Sequence, residues 1–228
     1  MKSVWRLIDH TLGRWLRHFA FLLVRAYYAL FYNVSCSNRH LIQDLPGALL
    51  LSTHVSRHDG PLVTAVLYST RRVRPAVHYN EYTHWAQWFP LMLGSAIPMS
   101  SPKSWTPERR AERKEYALGV IRKVIAAGNL VLLFPAGHTK RQSREIIAPK
   151  FSGAYDTLKA VPDCPVVLIR IGGLSKFDTP IYDLFWTFLG RRKGRRHVNI
   201  QIERLDDGLD TSVPLEEFNA RLEDLLNE

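Results

Sequence analysis

The chain has 228 residues, enough for one good-sized hydrophobic core and one principal domain. A hydrophobic share of 46% and a charged share of 23% are those of a globular protein and exclude a disordered or fibrous chain. Against 21 Asp and Glu stand 31 Lys and Arg, and this surplus suits an anionic partner, nucleic acid and an anionic membrane surface alike.

The start, MKSVWRLIDHTLGRWLRH, has no compact apolar run and no small-residue cleavage site, so a cleavable signal is not expected and the cytoplasm is the predicted compartment. Residues 15–34, WLRHFAFLLVRAYYALFYNV, read as a helical segment. Arg17, His18 and Arg25 interrupt it, leaving apolar runs shorter than the roughly 20 residues a bilayer span needs. Trp5, Trp15, Phe19, Phe21, Tyr27, Tyr28, Phe31 and Tyr32 suit the headgroup boundary, and Arg6, Arg14, Arg17 and Arg25 can reach lipid phosphates. An interfacial helix is therefore expected, with a core-packing helix carrying stray charges as the competing reading. Residues 1–36 are assigned to this membrane-association segment and residues 37–228 to the folded domain.

Beyond it, short apolar runs alternate with helical patterns. Residues 48–53, 74–79, 95–99, 129–135, 165–171 and 197–205 read as strands. Helices are predicted over 61–69, 81–93, 106–127 and the tail VPLEEFNARLEDLLNE. Asp59 is a candidate N-cap for the first of these. Thr106 or Ser104 caps the long one, Gly128 closes it, and Tyr116, Val120, Val124 and Ala127 line its inner side. The tail carries an apolar stripe of Leu215, Phe218, Leu222 and Leu225. This alternation predicts an α/β fold, a layered mixed sheet flanked by helices. Residues 173–196 stay irregular and end in GRRKGRR, which fits a membrane-surface patch, an RNA contact or a solvated loop. Cys36 and Cys164 give no disulfide framework and no metal-ligand spacing, and both read as reduced and inert.

One stretch carries chemistry. In LLLSTHVSRHDGPLV, residues 50–64, an apolar strand runs straight into His54, His58 and Asp59. On a continuous helix, side chains five residues apart point roughly 140° away from each other, so His54 and Asp59 meet only if a turn folds between strand and helix. A histidine held by a carboxylate is a good general base, because the carboxylate fixes the tautomer and stabilises the imidazolium. The plainer reading makes Asp59 a helix cap and His54 a satisfied polar residue. His58 ranks below His54, since adjacent side chains diverge. A second stretch, LVLLFPAGHTKRQS, breaks from a strand into a basic loop whose amides around Gly137 can cradle an anion; a solvated basic turn is the alternative.

Together these stretches resemble the glycerolipid acyltransferase family, which includes the 1-acylglycerol-3-phosphate and lysophospholipid acyltransferases. HVSRHD matches its His-X4-Asp block, and LLFPAGHTKR is similar to its Phe-Pro-Glu-Gly-Thr-Arg block about 80 residues later. AIPMSSPKSW, KFSGAY and CPVVLIRIGG resemble further segments of the family. The resemblance covers residues 48 to about 175 and implies that residues 37–228 form an acyltransferase domain. It implies transfer of an acyl group from acyl-CoA or acyl carrier protein to a lysophospholipid hydroxyl, on the cytoplasmic face of a membrane, with the protein peripheral or monotopic. His54 would be the base, oriented by Asp59, while Arg57, Gly137, His138, Lys140 and Arg141 would contact substrate. The thioester is a co-substrate; no cofactor, metal or nucleic-acid partner is expected. Two positions depart from the family: Ala136 stands for its glutamate, with His138-Thr139 for its Thr-Arg, and Pro98-Met99-Ser100-Ser101 lacks its arginine. The form IPMSSPKS resembles the lysophospholipid acyltransferase modules fused to acyl-carrier-protein synthetases, which implies an acceptor headgroup larger than bare phosphate. The alternative reading is a non-catalytic relative that binds lipid or acyl carrier.

Overall fold

The computed structural model describes residues 11–56, 58–68, 70–83, 91–100, 104–139, 144–174 and 196–228. Helix α1 (Thr11–Phe31) runs directly into strand β1 (Tyr32–Ser37), and a 3-10 turn, Arg39–Ile42, leads to β2 (Ala48–Ser52). Then come α2 (Asp59–Leu67), β3 (Val73–His78), α3 (Tyr79–Thr83), β4 (Ile97–Ser100) and α4 (Pro107–Ala126). The chain finishes with β5 (Leu130–Leu133), α5 (Gly153–Ala160), β6 (Val166–Gly172), β7 (Arg196–Leu205) and α6 (Leu215–Asn227). The seven strands form one sheet in the order β1-β7-β6-β2-β5-β3-β4, and among its pairings only β6–β7 is antiparallel.

The central strands are apolar on both faces because helices cover both faces. Every residue of β2 and β5 is buried. Leu50, Leu132, Val167 and Ile169 point to one core, shared with Leu62, Val63 and Leu67 of α2 and with Tyr28 and Tyr32. Their neighbours Leu49, Leu51, Val131 and Leu168 point to the other, against Ile121 and Val124 of α4, Leu158 of α5, and Phe218, Leu222 and Leu226 of α6. This is the two-residue period of a strand sorting side chains between layers. Gly47 marks where β2 begins under the end of α4: a Cβ there would lie 2.2 Å from the Ile125 carbonyl oxygen.

Several sequence expectations need adjustment. Residues 32–37 form a strand paired with β7, so the assigned boundary after residue 36 falls inside β1. The lower half of α1 belongs to the first core through Tyr28, with Val24, Tyr27 and Phe31 packed against it. Thr106 caps α4 by accepting the Arg109 amide, and Gly128 follows its end with φ of +76°. The inner face of α4 is Ala117, Leu118, Ile121 and Val124, while Tyr116 points outward at 62% exposure. On α6 the buried apolar residues are Phe218, Leu222 and Leu226, Leu225 is partly buried against the same core, and Asn219 joins the buried side. Most of the basic GRRKGRR run and residues 84–90 of the helix predicted over 81–93 lie outside the described residues. Cys36 and Cys164 are both free; burial raises both thiols, Cys164 to about 11, which keeps them in the unreactive protonated form.

The other side of α1 is left uncovered by the described residues. Trp15, Leu16, Phe19, Leu22, Leu23 and Leu30 are all exposed, Trp15 at 69% and Phe19 at 61%. Among the described residues no helix is long and apolar enough to cross a membrane.

Candidate functional site

Strands β2 and β5 are parallel neighbours, with Leu51 opposite Leu133. Both therefore leave the sheet at the same edge, so the HVSRHD and FPAGHT segments emerge side by side. The carboxyl edge of the strands is where open α/β sheets form their ligand sites.

The ladder of β2 continues one residue past the strand. Thr53 donates its amide to the Ile169 carbonyl at 3.0 Å, and its hydroxyl oxygen accepts the Ile171 amide at 3.0 Å. The chain then leaves the sheet, and three successive amides need new acceptors. The His54 amide donates to the Glu145 carboxylate, with its two oxygens at 3.2 and 3.3 Å. The Val55 and Ser56 amides donate to Asp59 Oδ2 at 2.5 and 2.8 Å. Both carboxylates are fully buried. Burying a carboxylate is tolerable only where hydrogen bonds replace water, and this turn supplies them to Glu145 and to Asp59 Oδ2, while Asp59 Oδ1 has no partner among the described residues.

The same Asp59 oxygen lies 3.0 Å from His54 Nδ1. Asp59 thus opens α2 as its first residue, with His58 as the N-cap, and turns its carboxylate back onto the preceding turn instead of capping the helix. With Asp59 ionised, Nδ1 carries the proton that this contact needs, leaving Nε2 as the nitrogen that can take a proton from an incoming hydroxyl. The imidazole is partly exposed and lies across the Phe134 ring, centroids 4.5 Å apart and planes tilted by 31°. Phe134 comes from the end of β5, so the two segments meet through these rings.

His58 is buried away from this pair. The Tyr28 hydroxyl of α1 donates to the His58 carbonyl at 3.2 Å and lies 3.3 Å from His58 Nδ1. Burial, reinforced by Tyr27 and then Asp59, pushes the Tyr28 phenol far up from its ordinary value, so it stays a neutral donor. Gly137 adopts φ of +66°, which a Cβ would disfavour, and its amide donates to the Phe134 carbonyl at 3.0 Å. That amide is engaged within the turn. His138 is exposed, donates through Nδ1 to the Ala136 carbonyl at 2.6 Å, and stands edge-on to Phe151. The Ala136 side chain is buried in the second core. Arg57, Lys140 and Arg141 lie outside the described residues.

Sequence reasoning missed three residues of this site: Glu145, Phe134 and Tyr28. Phe134 was legible as the residue ending β5. Glu145 carried no local signal, since its partner lies 91 positions away.

The fold and site define an α/β enzyme with an imidazole–carboxylate pair at the carboxyl edge of its central strands. The acyltransferase family profile matches residues 33–172, more than half of the chain, and the chain belongs to the acyltransferase family. The crystal structure of the 1-acyl-sn-glycerophosphate (LPA) acyltransferase PlsC from Thermotoga maritima has a similar fold. Its TM-score is 0.57 at 16% sequence identity, over 97% of this chain and 84% of that one. A search of curated proteins returns no match.

Proposed function

We propose that this acyltransferase moves a fatty acyl group from acyl-CoA or acyl carrier protein to the hydroxyl of a lysophospholipid or related lyso-lipid, on the cytoplasmic surface of a membrane. The observation that carries the reading is the 3.0 Å contact between Asp59 Oδ2 and His54 Nδ1 at the strand ends. His54 Nε2 takes the acceptor's hydroxyl proton as the oxygen attacks the thioester carbonyl carbon. The tetrahedral intermediate collapses, the C–S bond breaks, and the thiolate leaves and recovers a proton from the imidazolium. The products are an ester and a free thiol; the enzyme ends in its starting protonation state. Asp59 holds the tautomer and balances the transient positive charge. The activity named for PlsC supports a glycerolipid acceptor, and the net charge of +10 fits an anionic surface.

A panel of acceptors tests this. Purified protein given acyl-CoA or acyl carrier protein should esterify a lysophospholipid with a headgroup larger than phosphate, or an amino-acid-based lyso-lipid. Strong preference for lysophosphatidic acid over every other acceptor would remove the headgroup assignment. Inertness towards all acceptors with both donors would favour the non-catalytic, lipid-binding alternative.

The exposed stripe of α1 supports membrane association. Its apolar side chains point away from the protein core, and burying each in the acyl boundary is worth about 1.5–3 kcal/mol at full burial. Replacing Phe19 and Leu23 together by Asp should weaken sedimentation with anionic phospholipid vesicles by about tenfold or more, with the melting temperature unchanged. Equal sedimentation of variant and parent would rule out α1 as the lipid contact.

A further inference from the structure

We propose that Glu145 is a positioning residue for His54, and that α6 sets it in place. The inference rests on the reading of His54 as the base.

His54 is the first residue whose amide has no strand in front of it. The preceding amide, Thr53, still bonds β6, and the two following amides are both taken by Asp59. Asp59 therefore holds the His54 imidazole and the far side of the turn, but leaves the His54 amide to another acceptor. The point where strand becomes turn is fixed by the fully buried Glu145 carboxylate. Without that acceptor the His54 backbone is free to rotate, and the imidazole moves with it. A displacement of about an ångström at a reacting group costs on the order of a hundredfold in rate.

Glu145 does not sit on a helix or strand of its own. It lies in an irregular segment, 144–151, that four residues of α6 tie down. Asn227 binds both sides of the Glu145 backbone, accepting its N–H at 2.7 Å and donating to its C=O at 3.1 Å. Glu223 accepts the Ile147 amide at 2.9 Å, and Arg144 pairs with Asp224. Asn219, itself buried, donates its side-chain amide among the carbonyls of Ala148, Pro149 and Phe151 at 3.1–3.3 Å. The contact from Asn227 through Glu145 to His54 is an unbroken chain of hydrogen bonds, from the last turn of the last helix to the end of the central strand.

The test compares Glu145→Ala, Glu145→Gln and Asn227→Ala in the full chain, measuring kcat, KM and the His54 backbone amide resonance in protein labelled at histidine nitrogen. The resonance is assigned by its loss in His54→Gln. Glu145→Ala should lower kcat by about 10- to 100-fold with KM within about twofold, and shift the His54 amide proton upfield. Glu145→Gln keeps an acceptor and should stay within about threefold of the parent. Asn227→Ala should lose about 3- to 10-fold in kcat. Parental kcat in a folded Glu145→Ala overturns the positioning role, as does a Glu145→Gln as impaired as the alanine. If Glu145→Ala does not fold, Glu145→Gln and Asn227→Ala decide: parental kcat and an unmoved amide in Asn227→Ala remove α6 from the assembly. A fully active His54→Ala would instead remove the base reading, while the amide shift would still report the Glu145 contact.

Discussion

Replacing His54 with alanine lowers kcat/KM for acyl transfer by at least about a hundredfold and leaves the fold intact, since general-base catalysis is worth about that much or more. The fold survives because the imidazole contributes one of three hydrogen bonds to Asp59 Oδ2; the Val55 and Ser56 amides keep the other two. Asp59→Asn loses activity by a similar or larger factor, about 100- to 10,000-fold, because an amide can present N–H to Nδ1 and favour the wrong tautomer. Asp59→Ala adds a stability cost of about 1–3 kcal/mol for each buried amide left without its acceptor. Initial rates with a thioester donor, alongside far-UV circular dichroism, measure both effects. A folded His54→Ala that transfers acyl groups at the parental rate ends the assignment.

Phe218→Ala should destabilise the protein by about 3–5 kcal/mol, the usual cost of emptying a large aromatic site in a core. Phe218 is 1% exposed, sits in the second core with Leu222 and Leu226, and meets Tyr155 edge-on at 5.2 Å. In a domain of this size that loss corresponds to a fall of about 6–20 °C in Tm. Thermal melts followed by circular dichroism read it directly, with Tyr116→Ala as the control expected to stay within about 0.5 kcal/mol. A fall below about 3 °C would mean that α6 is only lightly held, which would also weaken its role under Glu145.

What was readable from the sequence follows from where each signal originates. Strands β2 and β5 announced themselves because burial on both faces leaves unbroken apolar runs between turn residues, and β6 did so through its VVLI run ahead of Arg170. The His54–Asp59 pair was readable through the resemblance of HVSRHD to the His-X4-Asp block, since spacing alone left a helix cap open; the structure brings the two side chains within 3.0 Å. Strand β1 was not: YNVSCS follows an aromatic helical run without a break, and its conformation is decided by β7, far away in the chain. The inner face of α4 was misjudged because Tyr116 is apolar enough to join the stripe, yet it stays at the surface under the Arg113 guanidinium, 5.0 Å from its ring. Glu145 was invisible for a related reason. It stands at the end of a basic stretch, KRQSRE, where a lone carboxylate reads as a solvated charge, and only the folded chain brings it under His54. Gly137 and His138 stand beside the β5 end, where the turn uses the Gly137 amide for itself.

The pairing of β1 with β7 has a consequence for the order of events during synthesis. Asn33 and His197 bond across these strands although 164 positions separate them. At about 5–20 residues per second, α1 and β1 leave the ribosome roughly 10–30 s before their sheet partner exists. The Tyr28 contact with His58 and the Asn227 contact with Glu145 join the two ends of the chain to the same turn. A nascent chain thus carries the exposed apolar stripe of α1 early and completes the turn around His54 only once α6 has emerged.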